Sequence, residues 1–149
     1  MNKVLRLLIV FLCIISTNAF SGMQEGIDAV QRGDYQTAYK EFKPLAESGN
    51  LIAQTAIGLM YSHGDGVIQN YKEAVKWYTL AAEQGDAKAQ YNLAQKYYYG
   101  VGVSPNNVYA HMWMNIATAN GIKEGADERD KYAKNMTSSQ IQQAQDLAR

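Results

Sequence analysis

The chain repeats itself at an interval of 36 residues. Displaced by that amount, Ala53 and Gln54 fall on Ala89 and Gln90, and Tyr61 falls on Tyr97. Gly64, Gly66 and Val67 fall on Gly100, Gly102 and Val103; Ala74, Trp77, Ala81 and Gly85 fall on Ala110, Trp113, Ala117 and Gly121. In the other direction Tyr71, Ala74, Ala82 and Gly85 meet Tyr35, Ala38, Ala46 and Gly49. A period in this range marks an array of supersecondary units, none of which can bury its apolar face alone.

Each unit reads as a helical hairpin. The first helix of the central unit spans about Leu51 to His63, with Ala53, Ala56, Ile57, Met60 and Tyr61 at spacings of three and four. Gly64-Asp65-Gly66-Val67 ends it, since glycine tolerates the left-handed backbone that reverses a chain. The second helix spans about Tyr71 to Gln84, with a stripe of Ala74, Trp77, Tyr78, Ala81 and Ala82. Gly85 stops it and Asp86 is the N-cap of the next helix. Ala53, Gly58, Ala74 and Ala81 are small enough for close approach of two helix axes. Tyr61 and Trp77 are expected to fill the volume between hairpins, at about 2–3 kcal/mol per fully buried side chain. The fold class predicted is all-α, an α/α-hairpin solenoid of about three hairpins with C-terminal capping helices. Only two prolines occur in 149 residues, which agrees with it.

The first 19 residues stand apart. Lys3 and Arg6 precede the apolar run Leu7 to Ile15, followed by Ser16, Thr17, Asn18 and Ala19. This is the layout of a secretory signal peptide with a cut after Ala19. The run is well short of the roughly 20 residues of a membrane-spanning helix, so no span is expected after cleavage. Cleavage would remove both basic residues and no acid, leaving 12 basic against 14 acidic side chains. It would also remove Cys13, the single cysteine, and with it any disulfide, thiol nucleophile or thiolate metal site. Export to a bacterial periplasm is the expectation, with secretion left open.

The remaining segments follow from the same reading: residues 20–50 a first hairpin, 51–86 and 87–122 two repeats, and 123–149 the cap. Glu124 to Asn135 reads as a charged helix. Thr137-Ser138-Ser139-Gln140 fits a capping box before a last helix carrying Ile141, Ala144, Leu147 and Ala148. Polar outer caps keep repeat arrays soluble.

The strings AQTAIGLMYSHGDGVIQNYKEAVKWYTLAAEQGD and AQYNLAQKYYYGVGVSPNNVYAHMWMNIATANG closely resemble Sel1-like repeats, relatives of the tetratricopeptide repeat with a longer Gly-rich loop. The resemblance covers Ala53 to Gly121. The stretch Gly26 to Gly49 lacks the long loop and looks like a tetratricopeptide hairpin turning at Gly33-Asp34-Tyr35. The third unit departs from the family pattern at Met114, where an aromatic is usual, and at Thr118, which bears on how tightly that hairpin packs.

The resemblance implies a binding module, an adaptor or regulator in the cell envelope that holds a protein or peptide on a concave face lined by first helices. Transferred by the repeat offset, that register exposes Met23, Ile27 and Gln31; Thr55, Leu59, Ser62 and His63; Tyr91, Gln95, Tyr98 and Tyr99; and Asp127, Lys131 and Lys134. Of these, Leu59, His63, Tyr91, Gln95, Tyr98 and Tyr99 are the partner-binding candidates. Tyr97, Tyr98 and Tyr99 are consecutive and cannot all face one core. Tyr97, the match of Tyr61, is expected to be buried. Tyr98 and Tyr99 then either form, with Tyr91, the centre of the site or half-bury at a repeat joint.

Catalysis and cofactors find no support in the residues. His63 and His111 are the only histidines, lie on different helices and have no ligand set around them. No Ser–His–Asp order or phosphate loop is apparent, and the glycines of GDGV and GVGV fall between helices. With 14 basic and 14 acidic side chains, nothing draws the chain to nucleic acid. No cofactor or metal is expected, and a monomer is. Two other readings stay open. One is an enzyme acting on β-lactam or peptidoglycan-like substrates, as implied for cysteine-rich Sel1-like proteins whose disulfides this chain lacks. The other is a secreted effector binding host proteins.

Overall fold

The computed structural model describes residues 20–149, so the signal-peptide reading and Cys13 lie outside the described residues. All regular structure among the described residues is helical. Helix α1 covers residues 20–31. It is followed by α2 (Tyr35–Glu47), α3 (Leu51–His63), α4 (Tyr71–Glu83), α5 (Ala87–Tyr99), α6 (Asn107–Ala119), α7 (Gly125–Ala133) and α8 (Ser138–Leu147). The helices pack in chain order: α1 lies on α2 through Gly26 and Phe42, α3–α4 and α5–α6 form the next hairpins, and α7 and α8 are both laid against α6. None of the described helices is long and apolar enough to cross a membrane.

Helix limits follow from local chemistry. Asp34, Asn50, Asn70, Asp86, Asn106 and Thr137 each cap a helix by accepting a backbone N–H through the side chain. Thr137 and Gln140 complete the expected capping box. The charged helix is shorter than the sequence pattern suggested. It runs from Gly125 to Ala133; Glu124 at its N-terminus makes no side-chain cap, and Gly125 packs so close to Thr118 that a Cβ would collide with it.

The repeat is enforced by three devices that recur every 36 residues. The first is an amide clamp. Gln54, 4% exposed, donates from Nε2 to the Ala46 carbonyl at 3.1 Å and accepts from Gln84 Nε2 at 2.7 Å. Gln90 does the same with the Ala82 carbonyl at 3.0 Å and Asn120 Nδ2 at 2.9 Å. Each clamp ties the last turn of one hairpin to both helices of the next, and satisfies a buried carboxamide that would otherwise destabilise the core. The second is a backbone contact. Gly66 (φ 70°) and Gly102 (φ 80°) lie so close to the carbonyls of Tyr35 and Tyr71 that no Cβ could be accommodated.

The third device is a filler in the second helix of each hairpin. Phe42, Tyr78 and Met114 are all buried at equivalent positions. Phe42 and Tyr78 press their rings onto Gly26 and Gly58, where a Cβ would stand within 2.8 Å of ring carbons. In the third hairpin the glycine becomes Ala94 and the ring becomes Met114, both 0% exposed in one cluster. The smaller filler matches the larger facing residue, so the departure at Met114 leaves the hairpin fully packed. Tyr61 and Trp77 pack between hairpins as expected, against Tyr39 and Lys43, but are half-buried rather than fully buried, and Tyr78 is the aromatic at the centre. Tyr97 is likewise half-buried, in contact with the tilted ring of Tyr109 at 5.3 Å.

Candidate functional site

The first helices α1, α3, α5 and α7 form a row, and α3 is apolar nearly all round. Ala53, Ile57 and Met60 face the core. Ile52, Ala56, Leu59 and His63, at spacings of four, three and four, form a second stripe facing outward. Two grooves run along that stripe. One, of about 510 Å³, lies between α1 and α3; its walls include Met23, Ile27, Val30, Ile52, Ala56 and Leu59. The other, of about 530 Å³, continues from the same Ile52, Ala56 and Leu59 toward Asp86, Lys88 and Ile122. Ile52 is 58% exposed, and Ile27 and Val30 are about two-fifths exposed, so the floor is apolar and open to solvent.

The sequence candidates separate into two groups. Leu59 lines both grooves and His63 stands at the mouth of the first, with Nδ1 3.6 Å from the Asp65 carboxylate. Met23, Ile27 and Gln31 line the same groove. Tyr91, Gln95, Tyr98 and Tyr99 belong to α5 and line neither groove. Tyr91 and Tyr98 are half-buried against the cluster of Ala94, Met114 and Tyr132, whereas Tyr99 is 57% exposed. Of the two alternatives for this trio, Tyr98 takes the joint position. Its ring stacks on Tyr132 at 4.0 Å and 16°.

Two residues of the exposed register are buried instead. Thr55 donates to the Asp86 carboxylate at 3.1 Å, joining α3 to the cap of α5. Ser62 accepts a hydrogen bond from Lys96 Nζ at 2.8 Å. Their small side chains fit where neighbouring first helices approach. Lys96, which lies 4.6 Å over the Tyr71 ring, has its pKa lowered by burial. Ile52 and Val30 were missed by the sequence reading, and Ala56, assigned there to the buried stripe, lines both grooves; the 52–56–59–63 stripe on a helix apolar nearly all round was the available signal.

The C-terminal half of the row is crowded by rings and charge. Tyr132 is fully buried, its hydroxyl makes no hydrogen bond, and burial pushes its pKa up. Burial also raises the pKa of Tyr91, with the Glu128 carboxylate adding to it. His111 is buried against α7 with Nδ1 unpartnered, and its pKa is lowered by burial and by Arg129. Among the described residues no group of three His, Cys, Asp or Glu side chains converges as a metal site would require.

Comparison with known proteins agrees with this architecture. The Sel1 repeat model matches residues 51–86 and 87–122. A protective antigen present in uropathogenic Escherichia coli strains, displaying an SLR fold, is similar at 31% identity and a TM-score of 0.82, over 87% of this chain and 29% of that one. A Sel1 repeat protein from Oxalobacter formigenes is similar at 30% identity and a TM-score of 0.70, over 88% of this chain and 53% of that one. The chain thus spans under a third of the first structure and about half of the second. No curated protein matched.

Proposed function

This chain belongs to the Sel1-repeat proteins, whose fold generally mediates protein–protein interaction, and we propose that it is a non-enzymatic adaptor or regulator of the bacterial cell envelope. The observation that carries the reading is the apolar double groove along Ile52, Ala56 and Leu59. Large exposed apolar surface with a polar surround is the usual mark of an interaction site. The envelope location is supported by the basic start and apolar run of residues 1–19.

The groove chemistry favours an apolar segment of the partner over a polar small molecule. Its shared floor offers aliphatic side chains; the polar groups of the first groove, Gln31, His63 and Asp65, lie away from that floor, and those of the second include Asp86, Lys88 and Asn120. No nucleophile and base pair up there as acyl transfer would need.

A photocrosslinking residue at Leu59 tests the proposal, with one at Leu80 on the opposite helix row as control. A discrete adduct from Leu59 and none from Leu80 is the expected result. Equal yields from both would remove the groove as the site. Steady turnover of a β-lactam or muropeptide by the purified protein would replace the adaptor reading with the enzymatic one.

A further inference from the structure

Between α5 and α7 the row of first helices carries a different chemistry. The Tyr98 and Tyr99 rings meet edge to face at 5.0 Å between centroids. Tyr98 is held in place by its stack on the buried Tyr132 and by Asn135, whose Nδ2 donates to the Tyr98 hydroxyl at 3.3 Å. A cation already stands against this pair. The Lys131 ammonium lies 5.7 Å from both ring centroids, and donates to the Tyr99 hydroxyl at 3.2 Å and to Glu128 Oε2 at 3.3 Å.

We infer that Tyr98, Tyr99 and Glu128 form a binding site for the primary ammonium group of a partner's lysine, with Lys131 as the resident competitor. The face of Tyr98 attracts a cation through its quadrupole, the Tyr99 hydroxyl oxygen accepts a hydrogen bond from it, and the carboxylate adds a full opposite charge. The hydroxyl and carboxylate oxygens both accept N–H, which a primary ammonium supplies and a quaternary one does not. Tyr99 and Glu128 also raise the pKa of Lys131, so the site favours the charged amine. Lys131 is exposed on a flexible stem, whereas the ring beneath it is fixed by packing, so the amine is the part that exchanges. The site lies on the same helix row as the apolar groove, and the inference deepens the binding-module reading by giving the partner a lysine near its apolar segment.

The test needs no partner, so its failure is separable from failure of the groove crosslink. The protein, labelled with ¹³C in its tyrosine rings, is titrated by NMR with a capped Gly-Lys-Gly peptide. Capped Gly-norleucine-Gly and tetramethylammonium are the comparison probes. In Lys131→Ala the Tyr98 and Tyr99 signals should shift saturably with the lysine peptide, about fivefold more tightly than in the wild type. Adding Tyr99→Ala to that variant should abolish the response while the circular dichroism stays helical. Lack of a saturable shift in Lys131→Ala, or an equal shift with the norleucine peptide, would overturn the site. Equal affinity for tetramethylammonium would overturn the assignment to a primary amine.

Discussion

The N-terminal and C-terminal halves of the first-helix row occupy equivalent places in the repeat and have opposite surfaces. The outward stripe of α3 is Ile52, Ala56, Leu59 and His63. Shifted by 36 residues it becomes Lys88, Asn92, Gln95 and Tyr99 on α5, and shifted again it becomes Glu124, Glu128, Lys131 and Asn135 around α7. The backbone period is kept while the surface runs from apolar through polar to charged. Fold and surface chemistry are therefore written in different positions of the same helices. Clamps, glycines and fillers repeat, and the outward stripe is free to vary.

Exchanging residues between equivalent positions sharpens or breaks this contrast. The largest effect is expected at Tyr132, whose ring closes the C-terminal half beneath Tyr98. Tyr132→Ala should cost about 3–5 kcal/mol in urea unfolding, since a fully buried ring leaves a cavity. A loss below about 1 kcal/mol would mean that the half is not sealed by that ring.

A smaller effect tests the packing exchange between hairpins. Gly58→Ala places a Cβ 2.7 Å from the Tyr78 ring and should destabilise by about 1–3 kcal/mol despite the better helix propensity of alanine. Adding Tyr78→Met recreates the Ala94–Met114 pair of the third hairpin and should recover most of that loss. Simple additivity of the two substitutions would show that the fillers are not matched to their facing residues.

How much of this could be read from sequence depends on which property is asked. Hairpins, caps and the Thr137 box were legible because Asn, Asp, Thr and Gly act within a few residues of themselves. The central role of Tyr78 was not, because Trp77 and Tyr78 are adjacent and only the position of Gly58 across the hairpin decides which ring goes inside. Likewise the register marked Thr55 and Ser62 as exposed, and only the approach of α5 to α3 buries them under Asp86 and Lys96. The candidates Leu59 and His63 fell in the groove and the tyrosines did not, since the outward stripe of α5 carries no aliphatic residue.

The smallest effect is a pH dependence confined to the C-terminal half. His111 stands where the second hairpin has Val75. Its pKa in the folded protein lies below the ordinary 6.5 because burial, followed by Arg129, disfavours the charged form, with Asp130 opposing. Well above pH 6.5 the group is neutral in both states and contributes no slope. As pH falls below that value the unfolded chain takes up the proton first, and stability declines. Denaturant midpoints should drop on acidification in the wild type and drop less in His111→Val; parallel curves would exclude the histidine as the cause.

The most direct measurement uses the partner recovered through Leu59 and compares two equivalent positions. Its affinity is measured by calorimetry for Leu59→Asp and for Gln95→Asp. A charge on the apolar floor should weaken binding by at least about tenfold, a cost of about 1.4 kcal/mol, while the same charge at Gln95, one turn from the Tyr98–Tyr99 pair proposed to hold a lysine, should leave binding equal or tighter. Equal losses, or a larger loss at Gln95, would contradict the assignment of the partner's apolar contact to the N-terminal half of the row.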